Sequence, residues 1–249
     1  MASQELSQLR TDIDGVLADF TKARSGALVD IGSELRPVAA AMTEFITDGG
    51  KRFRPIFAYL GYLGTGATPR QEILKACTAL ELVHVCALIH DDVMDGSYTR
   101  RNKPAIHKLF QALHDESSYQ GNSERFGLAS AILLGDLALV WADRLLVESG
   151  ITREEFVNAQ EVFSDMRDEL MAGQYLDVLE GALARQVLRD RSKLLGSNLA
   201  STRLSGHFTL ELRSQVRQSS MKPIPSLDFH LAKHFNFATT FWVYLATRK

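Results

Sequence analysis

An all-α fold follows from three features of this 249-residue sequence. Apolar residues recur at helical spacing through most of the first 180 positions, and two capping signatures open the strongest of these stretches. No run in that part alternates apolar and polar residues as a half-buried strand requires. A composition of 45% hydrophobic and 23% charged residues suits one fairly large helical domain with a substantial core.

Gly64 to Thr68 is glycine-rich and polar enough to be a loop. Immediately after it, Thr68-Pro69-Arg70-Gln71 offers an N-cap, a proline at the first helical position and a capping-box partner, predicting an apolar helix that runs toward Asp95. Cys77 and Cys86, nine apart in that stretch, have neither paired-ligand spacing for zinc nor a disulfide framework, and read as reduced core residues. Asp115 to Ser123 reads as a second loop. Thr152 and Glu155 form another capping box, followed by Phe156, Ala159, Val162, Phe163, Met166 and Leu170 at helical spacing, and this helix is expected to reach about Glu180.

The formal net charge of -2 leaves no basic surplus for nucleic acid or an anionic membrane, so any anion is held locally. Uncharged apolar runs such as Leu128 to Leu134 are far shorter than the roughly 20 residues of a membrane span. The N-terminus lacks the apolar centre of a signal peptide, and a cytoplasmic location is expected.

The chemistry concentrates at the end of the first strong helix, in Leu88-Ile89-His90-Asp91-Asp92-Val93-Met94-Asp95. Asp91 and Asp95 stand at i, i+4, where like charges repel unless something cationic offsets them. Oxygen-only ligation of this kind suits magnesium, which keeps waters and bridges to substrate phosphates. An acidic helix end facing solvent is the alternative. Arg100-Arg101 follows, and Gly49-Gly50-Lys51-Arg52-Phe53-Arg54-Pro55 precedes. Both are cationic clusters beside turns, where glycine backbone and Lys or Arg side chains suit diphosphate oxygens; either alone could be a solvated patch. His84 lies seven residues before Asp91 on the same face, while His90 lacks that alignment and reads as structural. Gln174 and Asp177, at i, i+3 on the later helix, could face the same metals or form an exposed polar stripe.

Taken together, Gly49 to Pro55, Glu81-Leu82-Val83-His84, Asp91-Asp92-x-x-Asp95, Arg100-Arg101, Gly135-Asp136 and Gly173-Gln174-x-x-Asp177 are similar in order and spacing to the trans-prenyltransferase (all-trans polyprenyl diphosphate synthase) family, of the geranylgeranyl diphosphate synthase type. The resemblance covers about residues 1–181 and implies a helical bundle of the isoprenoid synthase type. It also implies head-to-tail condensation of isopentenyl diphosphate with an allylic diphosphate, a magnesium requirement and a homodimer. Carried over residue by residue, Lys51, Arg54, His84 and Arg101 would hold isopentenyl diphosphate, Arg100 would touch the allylic diphosphate, and Asp91, Asp92 and Asp95 would bind magnesium, with Gln174 and Asp177 as further candidates for substrate and metal. Residues four and five before the first aspartate help form the cavity floor in this family. Here they are Ala87 and Cys86, both small, which implies a product of about C20 or longer.

After about Gly181 the family pattern stops: the Lys-Thr or Lys-Ser pair and the second aspartate-rich motif are both missing. Residues 182–249 read as a tail outside the family. Across Ser197 to Arg213, taking the third base of each codon with the first two of the next allows sixteen consecutive residues, Lys-Ser-Gly-Lys-Tyr-Thr-Val-Glu-Arg-Pro-Leu-His-Ile-Gly-Ala-Ala, which resemble the missing segment. A shift of reading frame upstream of about Ser197 is the expectation this raises. Two other functions compete with prenyl transfer. A non-catalytic diphosphate-binding or partner subunit fits the loss of the second motif, and a terpene cyclase fits one aspartate-rich helix but not the Gly-Gly-Lys-Arg block or His84.

Overall fold

The computed structural model describes residues 2–190, and the tail expectation for residues 182–249 lies almost wholly outside them. The chain divides into two compact units, whose described parts are residues 2–167 and 168–190.

Among the described residues, seven helices run in order: α1 Ala2–Ile31, α2 Arg36–Thr47 after a short 3-10 turn, α3 Phe53–Gly64, α4 Gln71–Met94, α5 Ile106–Glu116, α6 Ser123–Val147 and α7 Arg153–Asp190. The fold class is all-α, as the periodicity predicts. One difference is small: β1 Thr99–Arg100 and β2 Lys103–Pro104 pair antiparallel, with Arg101 and Asn102 both at positive φ between them. Two consecutive left-handed residues make the tight turn that matches strand twist. So short a hairpin has no room for an alternating pattern.

In the first unit α4 is the central helix. It buries residues on every side, from Ile73 and Leu74 through Leu80, Leu82 and Val85 to Ile89, and packs against α6 and α3, with α5 closing against α6. A helix apolar all round belongs in a core. Cys77 and Cys86 are buried and unbonded to each other, and burial pushes the Cys86 thiol up to about 11. The described residues hold two helices long and apolar enough to cross a membrane by length and composition, α4 and α6, and the apolar stretch of α4 is mostly buried inside the protein.

The two capping boxes part company. At Thr152, the backbone N–H donates to Glu155 Oε2 at 2.8 Å and Glu155 N–H donates to Thr152 Oγ1 at 3.2 Å. At Thr68 no box forms. The helix starts two residues later, with extended Arg70 at the N-cap, because Tyr59 fixes Arg70 through its hydroxyl and Tyr62 donates to Thr68 O. Helix α7 also runs beyond Glu180, to Asp190.

Candidate active site

Gly96 ends α4. At φ 64° it turns the chain left-handed, while Ser97 N–H donates to Asp92 O at 3.0 Å, the six-to-one bond of a Schellman cap. The stop leaves Asp91, Asp92 and Asp95 on the last turn, where the helix dipole adds negative charge to three carboxylates. Cations are therefore needed there, and the hairpin delivers one. Arg100 Nε donates to Asp92 Oδ1 at 3.0 Å and its Nη2 to the same oxygen at 2.6 Å; Nη2 also stands 3.7 Å from Asp91 Oδ2. The bond to Asp92 raises the Arg100 pKa.

Asp92 is thus buried and engaged by Arg100, whereas Asp91 is half-buried and Asp95 exposed. Two hard oxygen donors on one helical turn fit a magnesium ion that takes one or two carboxylates and fills its other positions with water and substrate phosphate. No group of three His, Cys, Asp or Glu forms a ready-made metal cage among the described residues. Asp92 holds Arg100 at the rim.

The second cationic cluster reaches the same region. Helix α3 begins at Phe53 on a left-handed N-cap, Arg52 at φ 50°. Lys51 is exposed, its Nζ 5.5 Å over the Phe53 ring, and Arg54 is half-buried in the first turn, where desolvation lowers its pKa against the opposing field of Glu81. The hairpin ties this turn to α4: Arg101 Nη1 donates to Gly49 O at 3.1 Å and Asp48 O at 3.3 Å, and Lys103 Nζ pairs with Glu44 at 2.8 Å and Asp48 at 3.0 Å. Lys51, Arg54, Arg100, Arg101 and the α4 carboxylates therefore belong to one connected region.

His84 is half-buried on α4. Ala87 is half-buried beside buried Cys86, whose Sγ lies 3.7 Å from His90 Nδ1. His90 Nε2 lies 3.1 Å from Ile132 O on α6, in keeping with a structural role, and a Cβ on Gly135 would overlap its ring. The Gly135-Asp136 pair accordingly packs against His90, with Asp136 Oδ1 3.6 Å from its Nε2. Gln174 is half-buried and Asp177 exposed on the stretch of α7 that belongs to the second unit.

Arg52, Glu81 and Asp14 are what the sequence reading missed. Arg52 Nε donates to Asp14 Oδ1 at 2.7 Å, Nη1 to Glu81 Oε1 at 2.8 Å and Nη2 to Ile46 O at 2.8 Å. Desolvation works against this buried guanidinium, but the bonds to Asp14 and Glu81 outweigh it and leave its pKa raised. The only signal in the sequence was a third basic residue inside the cluster with a glutamate in the Glu-Leu-Val-His block.

The polyprenyl synthetase family model matches residues 36–193. A geranylgeranyl diphosphate synthase of Methanosarcina mazei is 32% identical over 168 residues, covering 65% of this chain and 47% of that protein. A nonaprenyl diphosphate synthase of Mycobacterium tuberculosis is 30% identical over 207 residues, 80% of this chain and 55% of the relative. Among solved structures, a geranylgeranyl pyrophosphate synthase from Corynebacterium glutamicum, complexed with isoprenyl diphosphate and magnesium, matches with a TM-score of 0.68 at 34% identity, over 72% of this chain and 52% of that one. The chain spans about half the length of the curated relatives it matches.

Proposed function

The chain belongs to the polyprenyl synthetase family, and on that premise we propose that it binds isopentenyl diphosphate and an allylic diphosphate as the substrates of a magnesium-dependent, head-to-tail, all-trans prenyl transfer. The observation that carries this reading is the bridge made by the hairpin: Arg100 on Asp92 and Arg101 on the Gly49 carbonyl join the carboxylate end of α4 to the Lys51–Arg54 turn. Two diphosphates held side by side need such a pair of anion subsites.

In the reaction, the C–O bond of the allylic diphosphate breaks, the isopentenyl double bond attacks the allylic carbon, and loss of a proton regenerates an allylic diphosphate one unit longer. Arg100 stands where the departing pyrophosphate gains charge, and donors fixed beforehand at such a position stabilise the transition state more than the ground state. Magnesium held by Asp91 and Asp95 would supply further positive charge to that leaving group. Lys51, Arg54, Arg101 and His84 would hold isopentenyl diphosphate, while the apolar wall of α4 keeps water from the electron-poor carbon. Small Cys86 and Ala87 on that wall suit a product of about C20 or longer. A homodimer in the cytoplasm completes the proposal.

One experiment tests this reading. The full chain and a version restored to the alternative frame are assayed for radiolabelled isopentenyl diphosphate incorporation with magnesium and an allylic primer. The expected result is turnover in the restored protein and severe loss, by many orders of magnitude, in the chain as it stands, because each missing electrostatic group costs about 3 kcal/mol of barrier. Comparable turnover, or none in either, overturns this account.

A further inference from the structure

We propose that Arg52 and Glu81 are positioning residues for the isopentenyl diphosphate subsite, fixing where Lys51 and Arg54 point without touching substrate themselves. The inference rests on the function proposed above. Arg52 lies inside the basic cluster, yet its side chain is 1% exposed and all three guanidinium nitrogens are engaged, by Asp14, Glu81 and the Ile46 carbonyl. It has no face left for a phosphate.

Its anchorage explains the local backbone. A left-handed Arg52 sends its own side chain inward and leaves exposed Lys51 on the other side of the chain. Gly50 suits the inward fold: its φ of 149° is one that L side chains rarely adopt, and a Cβ there would stand 3.2 Å from Arg52 Nη1, tighter than an ordinary contact. The second glycine of the pair thus serves an arginine.

Glu81 extends the same device to the other ligand. Its carboxylate is 4% exposed, bonds Arg52 at 2.8 Å, and acts electrostatically on Arg54 two residues along. Burial works against the charge on Arg54, and Glu81 offsets part of that loss. One buried carboxylate therefore bonds Arg52 directly and favours the charge on Arg54, and the rigid planar fork of arginine suits three fixed acceptors better than the compact ammonium of lysine.

The test titrates isopentenyl diphosphate, and separately the S-thiolo analogue of an allylic diphosphate with magnesium, into the full chain, with melting followed by circular dichroism. Lys51→Ala is the subsite control. Arg52→Lys and Glu81→Gln probe the anchorage, and the double variant Arg52→Met with Glu81→Leu removes both charges together so that neither stays buried alone. The expected result is isopentenyl diphosphate binding weakened about tenfold or more in the anchorage variants, since the loss of one charge-assisted contact to the diphosphate costs about that much, with the allylic analogue within about twofold of the parent. Parent-like isopentenyl diphosphate binding in these variants, while Lys51→Ala loses it, overturns the inference alone. Equal weakening of both ligands, or an unfolded double variant, makes Arg52 a structural residue and overturns it too. A parent chain that binds no isopentenyl diphosphate defeats the proposed function and this inference together.

Discussion

Two basic clusters border the α4 carboxylates, and they use their charges in opposite ways. In the Lys51–Arg54 turn, Arg52 is buried against two acids and a carbonyl, and its neighbours are left for the surface. In the hairpin, Arg100, Arg101 and Lys103 all stay at least partly exposed while they bond buried Asp92, the Gly49 carbonyl and Glu44. Adjacent positive charges in a sequence are thus not a single patch. Whether a cation is sunk or presented depends on the acid that meets it and on the solvent around the pair.

The largest effect expected from this contrast comes from Arg52→Ala. Removing the guanidinium leaves Glu81 buried and unpaired, so denaturant unfolding should report a loss of about 3–5 kcal/mol. A loss below about 1 kcal/mol would put Arg52 in the same class as a surface pair. Next is Asp92→Asn, which keeps the shape but reduces a charge-assisted contact of Arg100 to a neutral one; a stability loss of about 2 kcal/mol is expected in the same measurement. An unchanged unfolding midpoint would mean that Arg100 finds another anchor. Lys103→Ala should change the melting temperature by too little to measure, since its ion pairs lie in water. A clear drop would show that the hairpin depends on that lysine. The smallest effect concerns Cys86: with its thiol near 11, it should resist a thiol-alkylating reagent at pH 8 in the folded protein and react in denaturant.

The long helices were legible because their signals are local. The Thr152 box formed as written, for its two partners need only each other. Thr68 carried the same letters and failed, since Tyr59 and Tyr62, from the preceding helix, claimed Arg70 and Thr68 first. The hairpin was invisible at two residues per strand, its turn being made by an arginine and an asparagine rather than by glycine. At the site, the carboxylates and surface cations were named from spacing, whereas Arg52 was passed over. Its partners Asp14 and Glu81 stand 38 and 29 residues away, and burial at that range is set by how α1 and α4 pack, which no local window contains.

The contact of Gly135 with His90 carries a consequence for motion. The His90 ring occupies the place of a side chain at Gly135, and buried Ala131 and Ala138 flank that place on the same face of α6. Advancing α6 along α4 by about one turn, 5.4 Å, would put one of those alanine side chains where the ring now sits. The two helices are therefore keyed to one register at this crossing, with Gly135 as the slot and the His90 ring as the key.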